Sequence, residues 1–165
     1  MDRLQNVGFL LKELSRRYVA RFEAHARSLS LTLMQCKVLV FLQRTEGTCQ
    51  ARLAEITEVE PMMMGRLLDR MEDDKLIERR SDPEDRRARN LYLTPKAKPL
   101  LDEISRLAAL VRGEMFAGVP KADRELFVRV LESALGNLCA LDRDAAARVP
   151  TPGRLQNRGR RAASS

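Results

Sequence analysis

Near the start of the chain, apolar residues recur at three- and four-residue intervals. Leu4, Val7, Leu11, Leu14, Tyr18 and Phe22 form the series, and that period predicts a long helix to about Ser28 with a charged opposite face. Thr32-Leu33-Met34-Gln35 comes next. A threonine three residues ahead of a glutamine satisfies orphan backbone donors reciprocally, so a second helix is predicted from Leu33 to about Arg44. It is apolar almost all round and therefore central. Glu46-Gly47-Thr48 ends it, and Thr48 is placed to cap a short third helix reaching about Thr57. Glu60-Pro61 opens a fourth, because the first helical turn tolerates the missing N–H of proline. This helix runs to about Asp74, with Met64, Leu67, Leu68 and Met71 as its inward stripe.

The period then changes to two. Leu76 to Arg80 and Arg89 to Leu93 read as paired strands, with Leu91 and Leu93 facing inward. The segment between them, Ser81 to Ala88, is longer than the usual hairpin loop of about two to five residues. Thr94-Pro95 starts a fifth helix carrying Leu100, Ile104, Leu107, Val111 and Met115, and Gly118-Val119-Pro120 breaks it. A sixth spans about Ala122 to Leu141, with Leu126, Val130, Leu131, Leu135 and Leu138 inward. From Ala145 the chain holds prolines, glycines and five arginines without an acid, and reads as a disordered basic tail. The fold class is mainly α with a small β-hairpin.

Charge and chemistry narrow the function. The 165 residues are 44% hydrophobic and 32% charged, as expected of a folded, soluble chain. The net charge is +7 and the pI about 9.8, which points to a polyanionic partner, most simply nucleic acid. Cys36, Cys49 and Cys139 are odd in number and lack zinc-ligand spacing, so mostly core thiols in a reduced, cytoplasmic chain are expected. No leader and no apolar run of membrane-spanning length is evident. There is no glycine-rich phosphate loop, nucleophile elbow or metal-ligand cluster, and the single histidine has no evident partner. No catalytic residue, metal or cofactor is expected, and an enzyme is disfavoured.

A short helix, a tight turn, a second helix and a two-stranded wing make a winged helix-turn-helix, a unit that lays its second helix in a DNA major groove. That order, with GRLLDRMEDDKLIERRSDPEDRRARNLYLTPKAK from Gly65 to Lys98, resembles the MarR family of bacterial transcriptional regulators over roughly residues 4–140. The resemblance implies one domain over residues 1–144. Within it the winged helix-turn-helix spans about 32–94, and dimerisation helices span about 4–28 and 95–141; the tail is 145–165. The most specific match is Asp85-Arg86-Arg87 followed by Leu93-Thr94, since the family carries a D-x-R wing at this distance before a Leu-Thr.

The implied partner is double-stranded DNA, bound by a homodimer on a pseudo-palindromic operator, as expected of a repressor. Gln50 and Arg52 on the third helix either meet phosphates or are plain surface. Met62, Met63, Arg66 and Arg70 on the fourth helix are candidates for the groove. Arg66 and Arg70 have a blander reading, in which they pair with Glu60, Asp69 or Asp73 on a solvated helix. In the wing, the resemblance implies that Asp85 holds Arg87 pre-oriented for a narrow minor groove, while Arg86 and Arg89 face phosphates; the blander reading is a solvated tip whose charges compensate one another. The sequence departs from the family in three places. Met62-Met63-Met64 stands where serine or threonine is common, Ala97 replaces a glycine, and Glu58 occupies a turn position often held by glycine, where a positive φ would strain it.

By the same resemblance, an effector pocket lies between the first, second and fifth helices and the DNA-binding lobe. Arg17, Tyr18, Arg21 and His25 are the residues that would meet a small aromatic carboxylate or phenolic ligand there; the cationic three are equally explained as solvated or satisfied groups. Two rival functions remain. One is a cysteine-based redox sensor of the same fold using Cys49; the other is a DNA-binding architectural protein without sequence preference.

Overall fold

The structure is a computed structural model, which describes residues 3–82 and 89–148, without the side chains of residue 3 and of residues 143–148. The chain divides into two compact units, Met1–Ala117 and Gly118–Ser165. In the first, a 3-10 turn (Arg3–Asn6) leads into α1 (Val7–His25). It is followed by α2 (Leu33–Arg44), β1 (Thr48–Cys49), α3 (Gln50–Thr57), α4 (Pro61–Asp73), β2 (Ile77–Ser81), β3 (Arg89–Leu93) and α5 (Ala97–Met115). The second unit holds α6 (Lys121–Arg148).

Local chemistry sets most of these boundaries. The Thr32 hydroxyl accepts from the Gln35 N–H, and the Gln35 side chain accepts from the Thr32 N–H at 2.8 Å, the capping box expected there. Such a cap is worth about 1 kcal/mol. Glu60 caps α4 through Met63 N–H, with Pro61 in the first turn. Glu58 ends α3 at φ 54° and ψ 35°, the left-handed conformation that costs a residue with a Cβ about 1–2 kcal/mol. Lys75 adopts φ 59° between α4 and β2. At Gly47, φ is 77° and a Cβ would stand 3.1 Å from the Tyr92 hydroxyl, so both backbone and space favour glycine.

Thr48 corrects the sequence reading. It does not cap α3, whose start has no side-chain cap. Instead Thr48 and Cys49 pair with Leu91 and Asn90, and the predicted two-stranded hairpin is a three-stranded antiparallel sheet in the order β1-β3-β2. β2 and β3 pair from Ile77 with Leu93 to Ser81 with Arg89. Thr94 also does something other than cap. Its hydroxyl donates to the Lys75 carbonyl at 2.5 Å, pinning the sheet exit to the end of α4, and α5 begins at Ala97, which is fully buried.

The core centres on α2. Val38, Leu39 and Leu42 are fully enclosed by Leu53 of α3, Met64, Leu68 and Met71 of α4, Leu91 of β3, and Leu101, Ile104 and Leu107 of α5. Burying each such side chain contributes roughly 1.5–3 kcal/mol.

Of the α1 series only Phe22 is buried, while Leu4, Val7 and Leu11 are exposed. Two expectations about what lies inside are overturned. On α6, Leu126, Val130, Leu135 and Leu138 are exposed and Leu131 half-buried, not inward. Apolar periodicity marks a face that needs covering without saying that the same chain covers it. Cys139 is likewise exposed, as is Cys49, and only Cys36 is a core thiol. Finally, α6 continues past Leu141 to Arg148, because Ala145-Ala146-Ala147 is strongly helix-forming. The rest of the expected tail, 149–165, lies outside the described residues.

Candidate nucleic-acid interface

α4 has two faces. Met64, Leu68 and Met71, at four- and three-residue spacing, are buried. Met62, Met63, Arg66 and Arg70 stand on the exposed side, with Met62 and Met63 64% and 65% exposed. Met62, Arg66 and Arg70 follow one another at intervals of four and so line one strip of the helix. Arg66 Nη2 lies 3.8 Å from Met62 Sδ, and Arg70 Nε donates to the Arg66 carbonyl at 3.3 Å.

Among the described residues no carboxylate pairs with Arg66 or Arg70. Three of the neighbouring acids are engaged elsewhere, while Asp73 makes no ion pair with Arg70. Glu60 caps the helix start. Asp69 and Glu72 are held by Arg79 of β2: Nη2 meets Asp69 Oδ1 at 2.7 Å, Nη1 meets Glu72 Oε2, and the Arg79 backbone N–H donates to Glu72 Oε1 at 3.1 Å. Burial works against the Arg79 charge, but the hydrogen bonds to Glu72 and Asp69 outweigh it and hold the guanidinium above its ordinary range. The solvated-pair reading of Arg66 and Arg70 therefore does not describe this helix.

The remaining sequence candidates are placed less uniformly. Gln50 is half-buried, and its Nε2 reaches the Pro61 carbonyl at 3.4 Å, tying the start of α3 to the start of α4. Arg52 is exposed and pairs with Glu55 at 2.7 Å, one turn on. Arg89 is exposed at the wing root and donates to Ser81 Oγ at 2.9 Å, while Asn90 Nδ2 donates to Asp82 Oδ2 at 2.7 Å. Asp85, Arg86 and Arg87 lie outside the described residues. On β2, Arg80 stacks 4.4 Å above the Tyr92 ring and is held by Glu78.

A cavity of about 560 Å³ opens between α1, α2, the end of α3 and α5. Tyr18, Phe22, Cys36 and Phe41 contribute to its apolar wall, and Lys37, Arg44 and Glu58 are its charged groups, two cationic and one acidic. Of the four predicted ligand residues only Tyr18 reaches it; its hydroxyl is 3.5 Å from the Ala108 carbonyl. The others are turned to carboxylates: Arg17 to Glu13 at 2.6 Å, Arg21 bidentately to Glu114 at 2.8 Å, and His25 to Glu114 at 2.8 Å. These contacts hold the Glu114 carboxyl down at about 2, Arg21 first and His25 second. Lys37 and Arg44 were missed because α2 reads as apolar all round. The signal available was their seven-residue separation, which places them on one face.

Burial pushes the Cys36 thiol up, away from reactivity. Among the described residues no group of side chains could hold a metal, and no helix is long and apolar enough to cross a membrane.

Comparison with known proteins places this geometry in context. The sequence profile of the MarR family matches residues 31–88. The transcriptional regulator PA3341 is 35% identical to this chain and superposes with a TM-score of 0.66, covering 80% of this chain and 97% of its own. BpsR of Bordetella bronchiseptica, whose DNA binding is regulated by 6-hydroxynicotinic acid, is 26% identical (TM-score 0.66; 81% and 96% covered). The transcriptional repressor CouR, solved bound to a 23-mer DNA duplex, shares the fold at 23% identity (TM-score 0.66; 82% and 99% covered).

Proposed function

The chain belongs to the MarR family and is a DNA-binding transcriptional regulator; from that premise we propose that it acts as a homodimeric repressor, released from a pseudo-palindromic operator by a small aromatic or phenolic anion. The observation that carries this reading is the outward strip of α4, where Arg66 and Arg70 stand without a carboxylate partner among the described residues. A guanidinium in that state can meet phosphate or the acceptor edge of guanine. Met62 and Met63 offer apolar contact to a thymine methyl and little hydrogen bonding. The wing completes the head: Asp85 aims Arg87 at a narrow minor groove, with Arg86 and Arg89 on phosphates.

Support for dimerisation comes from exposed apolar side chains, Leu4, Val7 and Leu11 near the start of the chain and Leu126, Val130, Leu135 and Leu138 along α6. A second copy covering them sets two heads about one DNA turn apart, roughly 34–36 Å. The effector site is the cavity beside Tyr18, where Lys37 and Arg44 face an aromatic anion; ligand and DNA then oppose each other reciprocally.

Selection of duplexes from a random pool by the full chain tests the reading. Enrichment of an inverted repeat, released on addition of an aromatic carboxylate, is expected; uniform recovery of all sequences would point to an architectural protein instead. Cys49 is an exposed thiol at the start of α3, and loss of operator binding under mild peroxide, abolished in Cys49→Ser, would support the redox-sensing version.

A further inference from the structure

α4 carries Asp69, Glu72 and Asp73 on the same helix as Arg66 and Arg70. Acids on a helix that approaches a polyanion do harm twice. They repel phosphate, and they compete for the arginines that should meet it. Arg66 and Asp69 are three residues apart, a spacing at which opposite charges pair on a helix surface, yet that pair is not made. Asp69 turns to Arg79 Nη2 at 2.7 Å, and Glu72 receives both Arg79 Nη1 and the Arg79 N–H. The side chain of Arg79 is only 21% exposed. It reaches the acids from β2, so its own charge is spent on them. A planar fork with several donors can hold two carboxylates at once in a way a lysine ammonium cannot.

We propose that Arg79 is a positioning residue for DNA binding: by drawing Asp69 and Glu72 onto the β2 side of α4, it leaves Arg66 and Arg70 available to the nucleic acid. This inference rests on the reading of α4 as the DNA-facing helix. It makes Arg79 neither a DNA contact nor merely a strut between helix and wing. Its action runs through the two carboxylates, and its loss releases them toward Arg66 and the phosphates.

The three roles separate by mutation. The probe is a labelled duplex that the wild-type full chain selects from a random pool, titrated at fixed salt by fluorescence anisotropy, with circular dichroism confirming the fold of each variant. Arg79→Gln is expected to weaken binding about tenfold or more, on the scale of one lost arginine contact. The pair Asp69→Asn with Glu72→Gln removes the bridge but also the carboxylates, and is expected to bind as tightly as wild type or more so. All three substitutions together are expected to return to within about threefold of wild type, since neither of the carboxylates that Arg79 holds remains to compete for Arg66. Unchanged affinity in folded Arg79→Gln overturns the inference. So does a loss in Asp69→Asn/Glu72→Gln as large as that in Arg79→Gln, because the bridge itself would then be what matters. Should Arg79→Gln not fold, the double variant still decides: retained or tighter binding supports the inference, and loss overturns it. If the wild-type chain selects no duplex at all, the DNA-facing reading of α4 fails first and takes this inference with it; normal wild-type selection with either contrary variant result overturns the inference alone.

Discussion

The arginines of α1 and those of α4 are the same residue type on the exposed faces of two helices, and the structure treats them oppositely. On α1, Arg16 and Arg17 close on Glu13, and Arg21 joins His25 on Glu114 of α5. On α4, among the described residues, Arg66 meets a methionine sulfur and Arg70 a backbone carbonyl but no carboxylate, while Asp69 and Glu72 are held by Arg79. A net charge of +7 does not distinguish the two groups. What does is whether a carboxylate already occupies the guanidinium. Paired, it helps seat one helix on another; unpaired, it is a binding site awaiting an anion.

The comparison breaks most visibly if charge is reversed on the unpaired side. Arg66→Glu is expected to reduce operator affinity by more than the about 1–3 kcal/mol of removing a single arginine–base contact, with folding stability within about 0.5 kcal/mol because the site is exposed. Anisotropy titration and a thermal melt read the two effects separately; normal affinity in a folded Arg66→Glu would remove α4 from the interface. A smaller effect tests the intermediate case. Arg52 is exposed but paired with Glu55, so Glu55→Gln should free it and tighten DNA binding by a few tenths of a kcal/mol, the scale of an exposed helix pair. Weaker binding in Glu55→Gln would show that Glu55 orients Arg52 instead of restraining it.

The smallest effect lies on the paired side and concerns stability alone. The Glu114 carboxyl lies at about 2 in the fold, against an ordinary value of 4.5, through Arg21 first and His25 second. A depressed carboxylate contributes stability that is complete above its ordinary value and is lost as pH falls through the folded value. The wild-type melting temperature should therefore fall between pH 4.5 and about 2 more steeply than that of Glu114→Gln. Superimposable curves would show that the α1–α5 ion pair does not contribute.

How much of this was legible in the sequence depended on distance along the chain. The capping box at Thr32-Gln35 and the Glu60-Pro61 start are local, and both were readable because their partners lie within one turn. The outward placement of Met62 and Met63 followed from helix period alone. The strand at Thr48 was not readable, because it exists only through pairing with Leu91, far along the chain. The occupation of Arg21 and His25 by Glu114 was hidden for the same reason: two helices must pack before the charges meet. Arg79 was near in sequence to its acids but lay across a turn, where neither helix nor strand periodicity links them. Lys37 and Arg44 were obscured by the strong apolar signal of their own helix. The wing carried the most specific motif, yet Asp85, Arg86 and Arg87 lie outside the described residues, so their roles rest on the sequence pattern.

The most direct test of the central claim sets one arginine from each region side by side. Arg66→Ala and Arg21→Ala each remove one positive charge from an exposed helix position, and both can be titrated against the same selected duplex at the same salt. If pairing decides which charges serve DNA, Arg66→Ala should weaken binding about tenfold or more while Arg21→Ala stays within about twofold of wild type. Equal losses in the two variants would contradict the account, because the protein would then be responding to its total charge and not to the arginines that the fold leaves unpaired.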